Sequence, residues 1–63
     1  MKRLDGRVAV VTGAGSGIGR ATSLALAERG CSIAAIDVHP DGAEETAKQV
    51  RSLGVSASAH LAD

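Results

Sequence analysis

Two rhythms of apolar residues take turns along the chain. Arg7-Val8-Ala9-Val10-Val11 is a short β-branched run, apolar on both faces, as a strand of a parallel sheet requires. It ends in Thr12-Gly13-Ala14-Gly15-Ser16-Gly17, too rich in glycine for the interior of either a strand or a helix. From about Gly17 to Arg29 the composition turns to Ala, Leu, Glu and Arg, and Ile18, Ala21 and Ala25 fall on one side of the predicted helix. Arg29 suits the negative pole of that helix, and Gly30 suits the left-handed position just beyond its end. A second apolar run, Cys31 to Ile36, stops at Asp37. Pro40 then breaks the pattern, and Asp41 with Glu44 forms a capping pair for a second helix. That helix sets Ala43, Ala47, Val50 and Leu53 on one side, with Glu44, Glu45, Lys48 and Arg51 largely elsewhere, until Gly54 ends it. Finally Val55, Ala57, Ala59 and Leu61 alternate with Ser56, Ser58 and His60, which predicts a half-buried third strand ending near Asp63.

Helices between apolar strands imply parallel crossovers, and these are right-handed in nearly all cases. Two crossovers stepping the same way put both helices on one face of the sheet. The other face, apolar in the first two strands, is then bare, and one strand edge lacks a neighbour. The expectation is that residues 1–63 form the N-terminal half of a larger α/β domain, with the remainder of that domain lying outside them.

Composition narrows the chemistry more than the fold. Sixty-three residues are roughly half of an ordinary domain. Hydrophobic residues make up 44% of them, which excludes disorder, but twelve are alanine and none is aromatic, so the core is thin. Seven basic residues balance seven acidic ones, giving no pull toward nucleic acid or a membrane surface. A single cysteine and two histidines allow neither an internal disulfide nor a soft-metal cluster. No targeting signal or membrane-length apolar run is present, and an unpaired thiol suits a reducing compartment, so the expected location is cytoplasmic. There is no tyrosine to act as an acid and no asparagine; the only lysines are Lys2 and Lys48.

The functional signal is the first strand-to-helix turn. Gly13, Gly15, Gly17 and Gly19 follow a strand and open a helix, the context of a phosphate cradle. Backbone without Cβ atoms turns sharply and approaches a pyrophosphate, while free N–H groups and the positive helix end offset its charge. Glycines also make simple turns, but four in seven residues exceed that need. Asp37 ends the second strand 18 residues after Gly19, where a carboxylate accepts from both hydroxyls of an adenosine ribose. A Walker-type loop is excluded, because Gly19 is followed by Arg20 and Ala21 rather than Lys and Ser or Thr. The loop also resembles that of S-adenosylmethionine methyltransferases. Those carry an acid just before the first glycine, where Val11-Thr12 stands here.

Thr12-Gly13-Ala14-Gly15-Ser16-Gly17-Ile18-Gly19 resembles the Thr-Gly-x-x-x-Gly-Ile-Gly motif of the classical short-chain dehydrogenases/reductases. Leu4-x-Gly6-Arg7-Val8-Ala9-Val10-Val11 is similar to that family's opening, and Leu61-Ala62-Asp63 to its adenine-contacting segment. The resemblance implies a Rossmann-type doubly wound parallel sheet, of which this chain supplies β-α-β-α-β. It implies a nicotinamide cofactor held by Gly13, Gly15, Ser16, Gly17, Ile18, Gly19, Asp37 and Asp63. It implies hydride transfer between an alcohol and a ketone, in homodimers or homotetramers. The family's catalytic Ser, Tyr, Lys and Asn have no counterpart here, so no residue of this chain inherits a catalytic role. A non-catalytic dinucleotide sensor or structural subunit is the alternative of a different class.

NAD is expected over NADP. A 2′-phosphate would face Asp37, and like charges about 4 Å apart at an effective dielectric near 20 repel by about 4 kcal/mol. NADP-binding members offset this with a basic residue before the middle glycine or after the strand-two acid. Ser16 and Val38 stand there and carry no charge. Arg20, the nearest cation in sequence, is expected to point away from the site.

Overall fold

The computed structural model describes residues 3–62. It contains β1 (Val8–Thr12), α1 (Gly17–Glu28), β2 (Ser32–Asp37), α2 (Pro40–Arg51) and β3 (Ala57–Leu61). The strands are parallel, in the order β1-β2-β3, with Val10 opposite Ala34 and Ala35 opposite Ala59. This is the expected Rossmann-type β-α-β-α-β arrangement. Both helices lie on one face, since Arg20 of α1 hydrogen-bonds Thr46 of α2 across their seam.

Strand residues alternate between a covered and an open face. Ile33, Ala35 and Asp37 of β2 are buried beneath the helices, while Val8 and Val10 of β1 are 69% and 65% exposed on the far side. The bare apolar face expected from the sequence is therefore present. Small residues fill the covered side: Ala14, Ala27, Ala43 and Ala47 join Cys31, Ile33 and Val50. A core of alanines lets the helices sit close to the sheet, and that closeness sets the geometry of the site.

The helix boundaries follow from their caps. Ser16 caps α1, its hydroxyl accepting from the Gly19 N–H at 3.1 Å. At the other end Gly30 adopts φ +92°, its N–H donates to Ala27 O, and the Cys31 N–H donates to Leu26 O. These two bonds form a Schellman termination around the left-handed Gly30 that the sequence predicted. Arg3, outside the helix, donates to the last-turn carbonyl of Glu28 at 3.0 Å and pairs with Asp5 at 2.9 Å.

Three local expectations are corrected. Ile18, Ala21 and Ala25 form the exposed side of α1, and the buried stripe is Gly19, Ser23 and Ala27. Closeness to the neighbouring backbone, rather than apolarity, selects that stripe, which favours the smallest side chains. Asp41 does not cap α2: the cap is His39, with no side-chain bond, because Pro40 at the first helical position has its φ already set for a helix. On the exposed side of α2, Glu44 pairs with Arg51 at 3.1 Å. Leu53 and Leu61 are exposed rather than buried, lying past the end of α2 and at the open end of β3.

Candidate nucleotide-binding site

The turn after β1 is held as a fixed shape. The Ala14 N–H continues the sheet ladder by donating to Ile36 O at 3.0 Å. Gly13 then takes φ +64°, a left-handed value that side chains with a Cβ rarely adopt. A Cβ there would meet only the Ser16 hydroxyl, at 3.9 Å, so the need for glycine comes from the backbone. Ser16 closes the turn, its hydroxyl donating to Gly13 O at 2.7 Å and its N–H to the same oxygen at 3.0 Å.

The other glycines have separate reasons. A Cβ at Gly19 would collide with the Gly13 carbonyl, so α1 rides directly on its own turn. A Cβ at Gly15 would lie 2.8 Å from the carbonyl carbon of Gly42, because the loop packs against the first turn of α2. Gly17 is different: a Cβ there meets nothing within 4 Å, and its φ is not left-handed. Neither backbone nor packing requires glycine at that position. Among the described residues no acceptor meets the N–H groups of Gly17 or Ile18, the donors that a helix start leaves free. Ile18 is 85% exposed beside them.

Asp37 sits where β2 ends and is 7% exposed. The Gly15 N–H donates to its Oδ2 at 2.8 Å, and the His39 N–H donates to its Oδ1 at 2.9 Å. The exposed His39 ring lies 3.3 Å from the same Oδ1. The backbone bonds from His39 and then from Gly15 hold the carboxyl below its ordinary value of 3.8, against the opposing push of burial. The two oxygens together offer about four lone-pair sites, so two backbone bonds leave room for further donors such as hydroxyls.

The structure therefore brings Gly13, Gly15, Ser16, Gly17, Ile18, Gly19 and Asp37 together at the carboxyl edge of the sheet. Asp63 lies outside the described residues. Arg20, expected to point away, leans onto α2 and donates to Thr46 Oγ1 at 2.9 Å and to Gly42 O at 3.3 Å. Gly42 and Thr46 had escaped the sequence reading. A glycine in the first turns of a helix was the available signal for Gly42, since it lowers helix stability by about 1 kcal/mol relative to alanine. Thr46 gave none. Alongside the site, a concavity of about 370 Å³ opens between the first turn of α2 and the Ala59–Leu61 end of β3.

The short chain dehydrogenase family model matches residues 7–63. D-threitol dehydrogenase of Mycolicibacterium smegmatis is 53% identical over 58 residues, which cover 92% of this chain and 21% of that relative. The crystal structure of NAD+-bound xylitol dehydrogenase superposes with a TM-score of 0.94 at 44% identity, covering 98% of this chain and 24% of that one. A 7α-hydroxysteroid dehydrogenase complexed with NADH and 7-oxo glycochenodeoxycholic acid gives 0.90 at 38% identity, covering 97% and 24%. The chain thus spans about a fifth to a quarter of the length of the relatives it matches.

Proposed function

The chain belongs to the short-chain dehydrogenase family, and from that premise we propose that it is the NAD-binding portion of an alcohol/ketone oxidoreductase. One observation carries the reading: the loop and the acid are a single bonded unit. The Gly15 N–H holds Asp37 Oδ2, so groups suited to a pyrophosphate and a group suited to a ribose are fixed relative to each other. Gly17 adds open space that a Cβ would occupy. In this reading the Gly17 and Ile18 N–H groups and the α1 helix start receive the pyrophosphate, Gly13, Ser16 and Gly19 shape the turn, and Asp37 accepts from the ribose hydroxyls. Asp63 takes the adenine amino group. The bound nicotinamide supplies a hydride acceptor or donor.

Residues 1–63 serve as the N-terminal half of the dinucleotide-binding domain. The other half covers Val8 and Val10, and catalytic side chains come from beyond Asp63. The whole protein works as a homodimer or homotetramer in the cytoplasm, where the free, buried Cys31 stays reduced. No helix among the described residues is long and apolar enough to cross a membrane.

NAD is preferred over NADP because Asp37 is ionised and buried, with the backbone N–H groups of Gly15 and His39 and the exposed His39 ring as its partners. Arg20 is engaged with α2. The test is calorimetric titration of NAD, NADP and S-adenosylmethionine, then the same on Asp37→Ala combined with Val38→Arg. NAD should bind at least tenfold more tightly than NADP, and the double variant should lose that ratio. Equal binding of NADP by the unmodified protein overturns the role of Asp37. Tight NAD binding by the whole protein with no turnover on any alcohol or ketone would mark a dinucleotide sensor instead.

A further inference from the structure

We propose that α2 belongs to the nucleotide site: Thr46, oriented by Arg20, is a positioning residue that fixes the Ala14–Gly15 peptide on which Asp37 depends. The inference rests on the nucleotide-binding reading above. The Ala14 carbonyl and the Gly15 N–H belong to one rigid, planar peptide unit. Thr46 Oγ1 donates to that carbonyl at 2.8 Å, and the N–H on the opposite edge donates to Asp37 Oδ2 at 2.8 Å. One peptide plane is thus gripped from α2 on one side and from β2 on the other.

The direction of the Thr46 hydroxyl is forced. Arg20 Nε donates to Thr46 Oγ1 at 2.9 Å, and a guanidinium has no acceptor to offer in return. The hydroxyl proton therefore points to Ala14 O. Thr46 and Ala14 are both fully buried, so no water replaces the bond if the hydroxyl is removed. The carbonyl would then rotate toward another donor, and rotation carries the Gly15 N–H away from Asp37.

Close approach makes this grip possible. Gly42 packs on Gly15 with no side chain on either, and a Cβ on Gly42 would lie 3.1 Å from Gly15 Cα. Arg20 secures the same turn of α2 through Gly42 O. Gly42 and Thr46 thereby brace the loop from a helix that carries no recognisable nucleotide motif, and Arg20 of α1 ties that helix in place.

The test compares Thr46→Val, which keeps the shape and removes the hydroxyl, with Thr46→Ser, which keeps the hydroxyl. Two readouts are taken on the folded proteins: the dissociation constant for ADP, and the amide resonance of Gly15 followed through the acid titration of Asp37. In the unmodified protein and in Thr46→Ser that amide should move with the carboxyl. In Thr46→Val the movement should be lost and ADP affinity should fall about tenfold, while Thr46→Ser stays within about twofold. An unchanged Gly15 titration in Thr46→Val overturns the proposal, as does an equal loss of affinity in both variants. If the unmodified protein fails to bind ADP, the nucleotide reading fails, and the Gly15 amide alone still decides whether Thr46 sets the peptide.

Discussion

The same edge of the same sheet carries two strand-to-helix turns, and they are built from different materials. Between β2 and α2 the chain needs only Val38 and His39, with Pro40 starting the helix and no side-chain cap. Between β1 and α1 it uses Gly13 to Ser16, with a left-handed glycine, a capping serine bonded twice, and a brace from α2. The second turn shows how little the connection itself requires. Whatever the first turn has beyond that is there for another purpose. The comparison separates its glycines by role: Gly13 for backbone, Gly15 and Gly19 for close packing, and Gly17 for open space.

Substitution of Gly19 should separate the turns most sharply. In Gly19→Ala the new methyl meets the Gly13 carbonyl, so overpacking should lower stability by about 3 kcal/mol, read from denaturant melts. A near-neutral result would mean that the loop yields easily and is not the rigid element described.

Gly17→Ala should behave in the opposite way. Stability should hold or rise by up to about 1 kcal/mol, since alanine is the better helix former. NAD affinity should nonetheless fall by at least tenfold, about 1.4 kcal/mol, because the methyl occupies the open space. Undiminished binding would return Gly17 to being an ordinary turn residue.

Asp37 links the two turns, and its effect depends on pH. Its folded-state value is lowered, so the unfolded chain binds the proton more readily in the acid range. The stability it contributes is fully present well above pH 3.8 and is lost as the pH falls through and below that value. Asp37→Asn should flatten this part of the acid-unfolding profile and weaken NAD binding, since an amide offers donors where Gly15 and His39 also donate. An identical acid profile in the variant would show that the carboxylate does not tie the turns together.

The smallest effect is expected at the plain turn. His39→Ser supplies the missing cap of α2 and should raise stability by about 0.5 kcal/mol, measured as a shift in the thermal midpoint. No change would show that Pro40 alone already sets the start of the helix.

Several local features of this chain were legible in the sequence because their causes are local, although the cap of α2 fell at His39 rather than Asp41. The order of five elements follows from alternating apolar periods, the end of α1 from Gly30, and the candidate site from glycine spacing with Asp37 at the end of a strand. The elements and the helix end depend on residues within a few positions of one another, and the candidate site adds one acid 18 residues beyond Gly19. The buried face of α1 was not legible, because apolarity marked Ile18, Ala21 and Ala25 while contact with the sheet and α2 required Gly19, Ser23 and Ala27. Nor could sequence tell that Gly15 answers to Gly42, or that Thr46 reaches Ala14 across 32 positions. Those pairings exist only once two right-handed crossovers lay both helices on the same face of the sheet. The sequence alone determined which elements form and where the candidate nucleotide-binding turn falls. Tertiary packing decided which glycine serves the fold, which leaves space, and which distant side chain holds the loop in place.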